Sequence, residues 1–388
     1  SAPGWWVVSV KPYLIVSGDF VKTGGMDRAN YALASYLARH GFETHLVAHR
    51  VSPSLAEQPQ VVVHRVPKPA NSYTLAQPLL DWYGRFWARR IAARGGRVVV
   101  NGGNCRWYDV NWTQHVNSAW QPKTQAGLLR RLKLRLDQQT ALQHERNRIG
   151  RARLVITQSV RTREHVVRLF GVTGERVHTV YYGIDSELFR PSNAGERKGA
   201  RLKLGYADGR PLVGFIGALG DNRKGFDTVF SAWQNLCSQD RWDADLLVLG
   251  AGGEVPIWQA RARAQSLEHR VRFLGFRHDA AELMPAFDAL VAPTRYEGYG
   301  LVIHEALCCG VPAFVSSRAP AIERFPSELQ DLIVDDPDDA EALAKRLRRW
   351  RAEMDETRAR VMRFNDFFRS RTWDDMAREM VELIETCR

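Results

Sequence analysis

Residues Pro293 to Pro312 read PTRYEGYGLVIHEALCCGVP; they follow an apolar strand candidate, Asp288 to Ala292, and open a helix near Gly300. Glu297 and Glu305 are separated by seven residues, with Gly298 and Gly300 just inside the first. A helix whose leading residues are glycines leaves its first backbone N–H groups open to an anion. A carboxylate on either side accepts hydrogen bonds from hydroxyls and repels phosphate. The combination suits a ligand that carries both phosphate and polyol groups, such as a nucleotide sugar.

Working outward, the same strand–loop–helix unit recurs through the second half. Leu212 to Ile216 leads into GALGDNRKG and a helix from about Phe226. Asp245 to Leu249 leads into GAGGE, Val271 to Leu274 into GFRHD, and Phe314 centres a further short strand. A helix with Leu343 and Leu347 follows IVDDPDD, and Trp373 to Ile384 forms an amphipathic last helix. The first half has the same plan. Tyr13 to Ser17 is a strand, GDFVKTGGMDRAN a loop, and Ala29, Leu33 and Leu37 recur at helical spacing until Gly41. Further strands are expected at Thr44–Ala48, Val61–Val66, 97–100, 111–116 ending at His115, 154–157 and 177–182. The polar stretch Pro191 to Arg210 reads as a linker.

Apolar strands alternating with helices predict parallel sheets covered on both faces. The fold class is therefore α/β, with two Rossmann-like domains whose sheets face each other across a cleft. The boundaries are 1–190 and 191–369, with the C-terminal helix 370–388 packing back on the first domain. The 388 residues agree with two domains of ordinary size.

Apolar residues make up 45%, enough for two cores, and no apolar run approaches the ~20 residues that span a bilayer. The N-terminal SAPGWWVVSVKPYLIV enters a strand pattern almost at once and lacks the layout of a signal peptide. Five cysteines form no CxxC pair, which suits reduced thiols and a cytoplasmic setting. The net charge of +12 is concentrated in two places. Residues Trp82–Arg97 carry +5 and Gln121–Arg153 carry +7, which accounts for the whole excess. Trp82, Phe86 and the stem of Arg90 share one helical face, as on a helix lying at a membrane interface, and the second segment carries Leu128, Leu129, Leu132 and Leu136. A core-packed helix with a solvated basic back is the alternative. The first reading places the protein peripherally on an anionic membrane, the inner face of the plasma membrane.

In GALGDNRKG, Gly217 and Gly220 allow close backbone approach while Arg223 and Lys224 bring two cations to one loop. A solvated turn is the alternative. The loop's position after the first strand of its half places it at the same carboxyl edge as Glu297 and Glu305, where doubly wound sheets bind ligands. Gly24–Gly25 holds the equivalent place in the first half, though alone it reads as an ordinary turn.

Taken together, the Gly-Gly loop, His115, GIDSELF, GALGDNRKG and EGYGLVIHE resemble the retaining glycosyltransferases of family 4, with the GT-B fold, over nearly the whole chain. The resemblance implies a metal-independent hexosyltransferase moving a hexose from a nucleotide sugar, by the family prior a UDP-sugar. The acceptor is a hydroxyl of a glycan or lipid-linked glycan in cell-envelope or exopolysaccharide synthesis, and no cofactor beyond the donor is implied. Glu297, Lys224, Arg223 and His115 take the catalytic places. Arg223 and Lys224 neutralise the diphosphate, Glu297 holds the transferred sugar, and His115 lies beside that sugar or the acceptor. Donor binding falls to Gly24, Gly25, Gly217, Phe276, Arg277, Gly298, Tyr299, Gly300, Leu301, Val302 and Glu305. Phe276 and Arg277 lie near the base, Glu305 at the ribose, and the N–H groups around Tyr299 to Val302 at the phosphates. Many members have arginine where this chain has Ala218; Arg223 is placed as in the lipopolysaccharide glucosyltransferases of the family, which GGMDR also resembles. The usual Asn-Gly-Val-Asp is here Tyr182-Gly183-Ile184-Asp185.

Three rival functions are weaker. A metal-dependent transferase needs a DxD, and Asp243-Ala244-Asp245 precedes its strand, at the wrong edge. A nucleic-acid binder is suggested by the +12 charge and the many aromatics, with no recognised module. A GT-B-like sugar-nucleotide epimerase shares the donor motifs.

Overall fold

The computed structural model describes residues 11–121, 127–207, 209–238 and 242–387. The N-terminal strand pattern before Lys11 and part of the 121–153 basic segment lie outside them.

The chain divides into two compact units. The first comprises residues up to Ala119, Gln139–Gly183 and the chain from Trp373 on; the second comprises Trp120–Gln138 and Ile184–Thr372. The strands of the first unit's main sheet are β1 (Tyr13–Val16), β2 (Thr44–Ala48), β3 (Val61–Arg65), β4 (Arg97–Asn101), β5 (Val110–Thr113), β6 (Leu154–Thr157) and β7 (Val177–Thr179). Among the described residues they form one parallel sheet of order β3-β2-β1-β4-β5-β6-β7. The second unit's strands are β8 (Leu212–Ile216), β9 (Asp245–Leu249), β10 (Val271–Gly275), β11 (Ala289–Ala292), β12 (Ala313–Ser316) and β13 (Ile333–Val334). Their order is β10-β9-β8-β11-β12-β13, again all parallel. Each sheet thus reverses direction once, between β1 and β4 and between β8 and β11, which are the topological switch points of a doubly wound fold.

The central strands are apolar on both faces because helices cover both. Every residue of β1, β2 and β9 is buried. The helix Gly25–Arg39 buries Ala29, Leu33 and Leu37, one stripe at the spacing read in the sequence. The helix Trp373–Thr386 buries Met376, Met380 and Ile384 and packs on Gly25–Arg39. It is pinned at both ends, by Arg39 on Asp374 at 2.6 Å and by Tyr13 Oη donating to Glu385 at 2.8 Å.

Two sequence expectations are corrected. The 191–210 stretch is not a bare linker, since it contains the helix Ala194–Lys203, started by a reciprocal cap. Glu196 N–H donates to Asn193 Oδ1 at 2.9 Å, and Asn193 N–H to Glu196 Oε2 at 3.0 Å. Its polar letters misled because Arg197 and Arg201 face inward onto Asp288, at 2.6 and 3.4 Å, beside buried Ala200 and Leu204. Secondly, β5 ends at Thr113, so His115 lies in the loop beyond it rather than on the strand.

Candidate active site

At the second unit's switch point the loops after β8 and β11 lie side by side. Gly225, in the left-handed region at φ 71°, takes a turn so close that an added Cβ would lie 2.1 Å from the Pro293 carbonyl oxygen. Asn222 is also left-handed at φ 58°. The Arg223 carbonyl accepts from Arg295 N–H at 2.8 Å and Thr294 Oγ1 at 3.1 Å, so backbone bonds tie the two loops directly.

Lys224 is carried across Gly217, whose missing Cβ leaves room 3.2 Å from the lysine Cγ. Its Nζ then forms an ion pair with Glu297. Both side chains are mostly buried, so the pair is less screened than one at the surface. The loop after β9 backs this arrangement. Side chains at Gly250 and Gly252 would each lie 1.8 Å from a carbonyl oxygen, of Gly217 and Leu219 respectively. GAGGE is therefore a bed for the cationic loop, a role its letters alone did not disclose.

Arg295 was missed in the sequence. Its guanidinium, 13% exposed, grips Asp227 with two nitrogens at 2.7 and 2.8 Å, and also meets Asp338 and the Asn222 carbonyl. It clamps the β11 loop to the first turn of Phe226–Cys237. An arginine two residues before a glutamate carries no local signal for this.

Downstream, Gly300 sits at φ 95° as the N-cap of the helix Leu301–Cys308, and among the described residues no side chain caps it. The N–H groups of its first turn thus form the positive end expected of an anion site. Glu305 lies half-buried one turn into that helix. The Tyr299 side chain does not face a ligand. It is buried, with its hydroxyl 3.0 Å from His304 Nδ1, so only its backbone belongs to the site. His304 Nε2 lies 3.0 Å from the Ala321 carbonyl, which fixes the tautomer. Burial lowers the His304 pKa to about 3, keeping it neutral.

Phe276 follows Gly275 at the end of β10, two strands from β8 on the same carboxyl edge, and is 61% exposed. Strand spacing puts that loop roughly 10 Å from the β8 loop. Arg277 is engaged by Asp279 at 2.6 and 2.7 Å. The second unit thus brings Gly217, Arg223, Lys224, Phe276, Arg277, Glu297, Gly298 to Val302 and Glu305 to one edge of one sheet. Gly24, Gly25 and His115 belong to the first unit, where His115 lines a pocket with Met26 and Asp27, just after the two glycines.

The DxD letters are used elsewhere. Asp243 takes Arg351 at 2.6 Å and Asp245 takes Arg270 at 2.9 Å. Asp339 caps Ala340–Ala352 by accepting from Ala342 N–H, and Asp338 serves Arg295. On the surface, Trp82 is 55% exposed and stacks on Phe86, over which the Arg90 guanidinium lies at 3.5 Å. Leu128 and Leu129 are 81% and 86% exposed. Among the described residues no helix is long and apolar enough to cross a membrane.

Two doubly wound units with ligand-type loops at their switch points define a GT-B architecture, and solved structures agree. WaaG, a glycosyltransferase involved in lipopolysaccharide biosynthesis, superposes with a TM-score of 0.74 at 18% identity over 96% of this chain and 100% of that one. HepE of Anabaena in complex with UDP-glucose gives 0.72 at 19% identity over 97% and 99%. The family model of Glycosyltransferase Family 4 matches residues 23–188, and that of Glycosyl transferases group 1 matches 210–352. The chain belongs to the family 4 glycosyltransferases. Among curated relatives, the O-antigen chain mannosyltransferase B of Escherichia coli is 30% identical over 199 residues, 50% of either chain. The chain spans about half the length of the curated relatives it matches.

Proposed function

We propose that this glycosyltransferase moves a hexose from a UDP-sugar, with retention of configuration, to a hydroxyl of a glycan or lipid-linked glycan in envelope or exopolysaccharide synthesis. The observation that carries the reading is the Lys224–Glu297 pair at the second unit's switch point, beside an uncapped helix N-terminus. Cation and open N–H groups suit a diphosphate, while Glu297 and Glu305 suit hydroxyls. UDP-glucose in HepE supports the donor class.

In this reading Lys224 and Arg223 stabilise charge on the departing diphosphate, together with the N–H groups of the Gly300 turn. Glu305 holds the ribose, Phe276 covers the base, and His115 is assigned to the transferred sugar or the acceptor. The leaving phosphate oxygen takes the acceptor's proton on the face it departs from, so the new bond keeps the anomeric configuration. No metal is required, and EDTA is expected to leave turnover intact.

The exposed Trp82–Phe86–Arg90 face and the leucines of Leu128–Arg148 support peripheral docking on anionic lipid at the cytoplasmic face of the membrane. Proton NMR of the reaction with UDP-glucose tests the reading. An α-linked product is expected from that α-linked donor; a β-linked product, or donor consumption with epimerisation and no acceptor, overturns it.

A further inference from the structure

In the second unit, the helices Ala340–Ala352 and Met354–Met362 line a cavity of about 290 Å³ together with the stretch before β13. That is close to the smallest small-molecule sites, roughly 300 Å³. Its place in the fold separates it from the donor loops. Phe314, in β12, and Leu332, the residue before β13, form its apolar side with Trp350, so it lies toward the amino ends of these strands. The loops that carry Lys224 and Glu297 leave the carboxyl ends of β8 and β11, at the opposite edge of the sheet.

The charged lining is unbalanced. Lys345, Arg346, Arg349 and Arg360 stand against Asp331 and Glu353, an excess of two positive charges. Each carboxylate already holds an arginine, Asp331 with Arg360 at 2.7 Å and Glu353 with Arg349 at 3.0 Å. Arg346 donates its Nε to the Asp331 carbonyl at 3.1 Å, and among the described residues its terminal nitrogens have no partner. Lys345 has none at all among them. Lys345, Arg346 and Arg349 all line the cavity, and none of the three is buried.

Other cations of the same helix show what these lack. Arg348 donates to Asn235 Oδ1, and Arg351 holds Asp243 at 2.6 Å. A cation in a helix's last turn also answers the negative end of the helix dipole, which accounts for Arg349. Lys345 and Arg346 precede that turn, beyond the reach of the effect. Lys345 and Arg349 are four residues apart and share one helical face, a like-charge pair that costs stability and that an anion relieves.

We propose that this cavity is a second anion site, separate from the donor loops, which takes a small phosphate monoester. Lys345, Arg346 and Arg349 hold the phosphate, and the organic body lies against Phe314, Leu332 and Trp350. A phosphate monoester carries about −1.5 to −2 at neutral pH, which matches the excess of two positive charges. Guanidinium forks take phosphate oxygens in pairs, and the lysine adds a point charge. The size of the cavity suits a single sugar phosphate or polyol phosphate rather than a nucleotide sugar.

The test is phosphorus NMR titration of the full chain with glucose 6-phosphate, glycerol 3-phosphate and inorganic phosphate as probes, repeated with saturating UDP to fill the donor loops. Broadening of at least one ester resonance is expected, and it should survive UDP; comparing the two esters separates a sugar body from a lipid-derived one. Inorganic phosphate should bind more weakly, having no body to set against the apolar side. Lys345→Glu, at a residue with no partner to lose, should weaken the ester about tenfold or more, since a charge-assisted hydrogen bond is lost. Binding of neither ester overturns the inference, as does displacement by UDP or binding indifferent to Lys345→Glu. Inorganic phosphate bound as tightly as the esters means an adventitious ion only, and overturns it too. If Lys345→Glu does not fold, Lys345→Gln carries the same comparison. A chain that binds an ester but not UDP keeps this site and removes the transferase reading instead.

Discussion

The two switch points have the same strand order and opposite chemistry. Between β8 and β11 the loops bring Lys224 and Arg223 beside carboxylates, and the lysine already holds Glu297. Between β1 and β4 the pocket is lined by Asp19, Asp27 and Glu145 and, among the described residues, by no lysine or arginine. The topology puts strand ends and a helix N-terminus in one place in both units. What that place binds is decided by the residues of the first loop, GALGDNRKG in one unit and GDFVKTGGMDR in the other. A fold of this kind supplies position, and charge must be written in separately.

The contrast can be broken most severely at Lys224. Lys224→Ala should lower kcat/KM by about 10²–10³-fold, the cost of one preorganised charge contact in the transition state. Steady-state kinetics with UDP-glucose read it, and an unchanged kcat/KM would remove lysine from the mechanism. Next comes Arg295, which holds the cationic loop in place through Asp227 and the Asn222 carbonyl. Arg295→Met takes the cation from Asp338 and leaves Asp227 with Asn222 Nδ2 at 3.1 Å, and it should cost about 2–3 kcal/mol in urea unfolding, because the stranded carboxylates are partly solvated.

The first unit is sharpened by pH. Burial and the neighbouring Asp19 raise Asp27 to about 6 in the folded chain against 3.8 ordinarily, so between those values the native state binds more protons than the unfolded. Stability attributable to this group therefore falls as pH rises from about 4 to about 6 and stays lowered above. Asp27→Asn should raise the thermal midpoint at pH above about 7, by about 2 kcal/mol in stability, and leave it nearly unchanged near pH 4. A gain at low pH that vanishes at high pH would reverse the assignment. The smallest effect is expected at the surface, where Trp82→Ala should weaken co-sedimentation with anionic vesicles about threefold to tenfold, with no change on neutral vesicles.

How much was legible depended on how local each cause is. The glutamate spacing, the glycines of both loops and the strand–helix alternation lie within short windows, and they placed Glu297, Lys224 and Gly217 on one edge. The Ala194–Lys203 helix was missed because Arg197 and Arg201 look solvated until Asp288, roughly ninety residues later, is seen to receive them. Tyr299 was read for its backbone N–H alone; that its side chain turns inward to His304 is a choice made by packing rather than by motif. Asp19 and Asn101 gave no signal, since nothing in either neighbourhood says that Asn30 will claim one end of the amide and Tyr73 one oxygen of the carboxylate.

The sequence by itself determined the doubly wound plan of each unit and the cation–carboxylate loop pair of the second. Periodicity, glycine and charge act through the backbone within a few residues, and the β8 and β11 loops become neighbours once the strand order is given. Only the tertiary structure decided which polar atoms of the first unit remain unfilled, Asp19 Oδ1 and Asn101 Oδ1 among them. A hydrogen-bond vacancy is a property of everything packed around an atom, and the groups that fill the neighbours of Asp19 and Asn101 come from four separate stretches of chain.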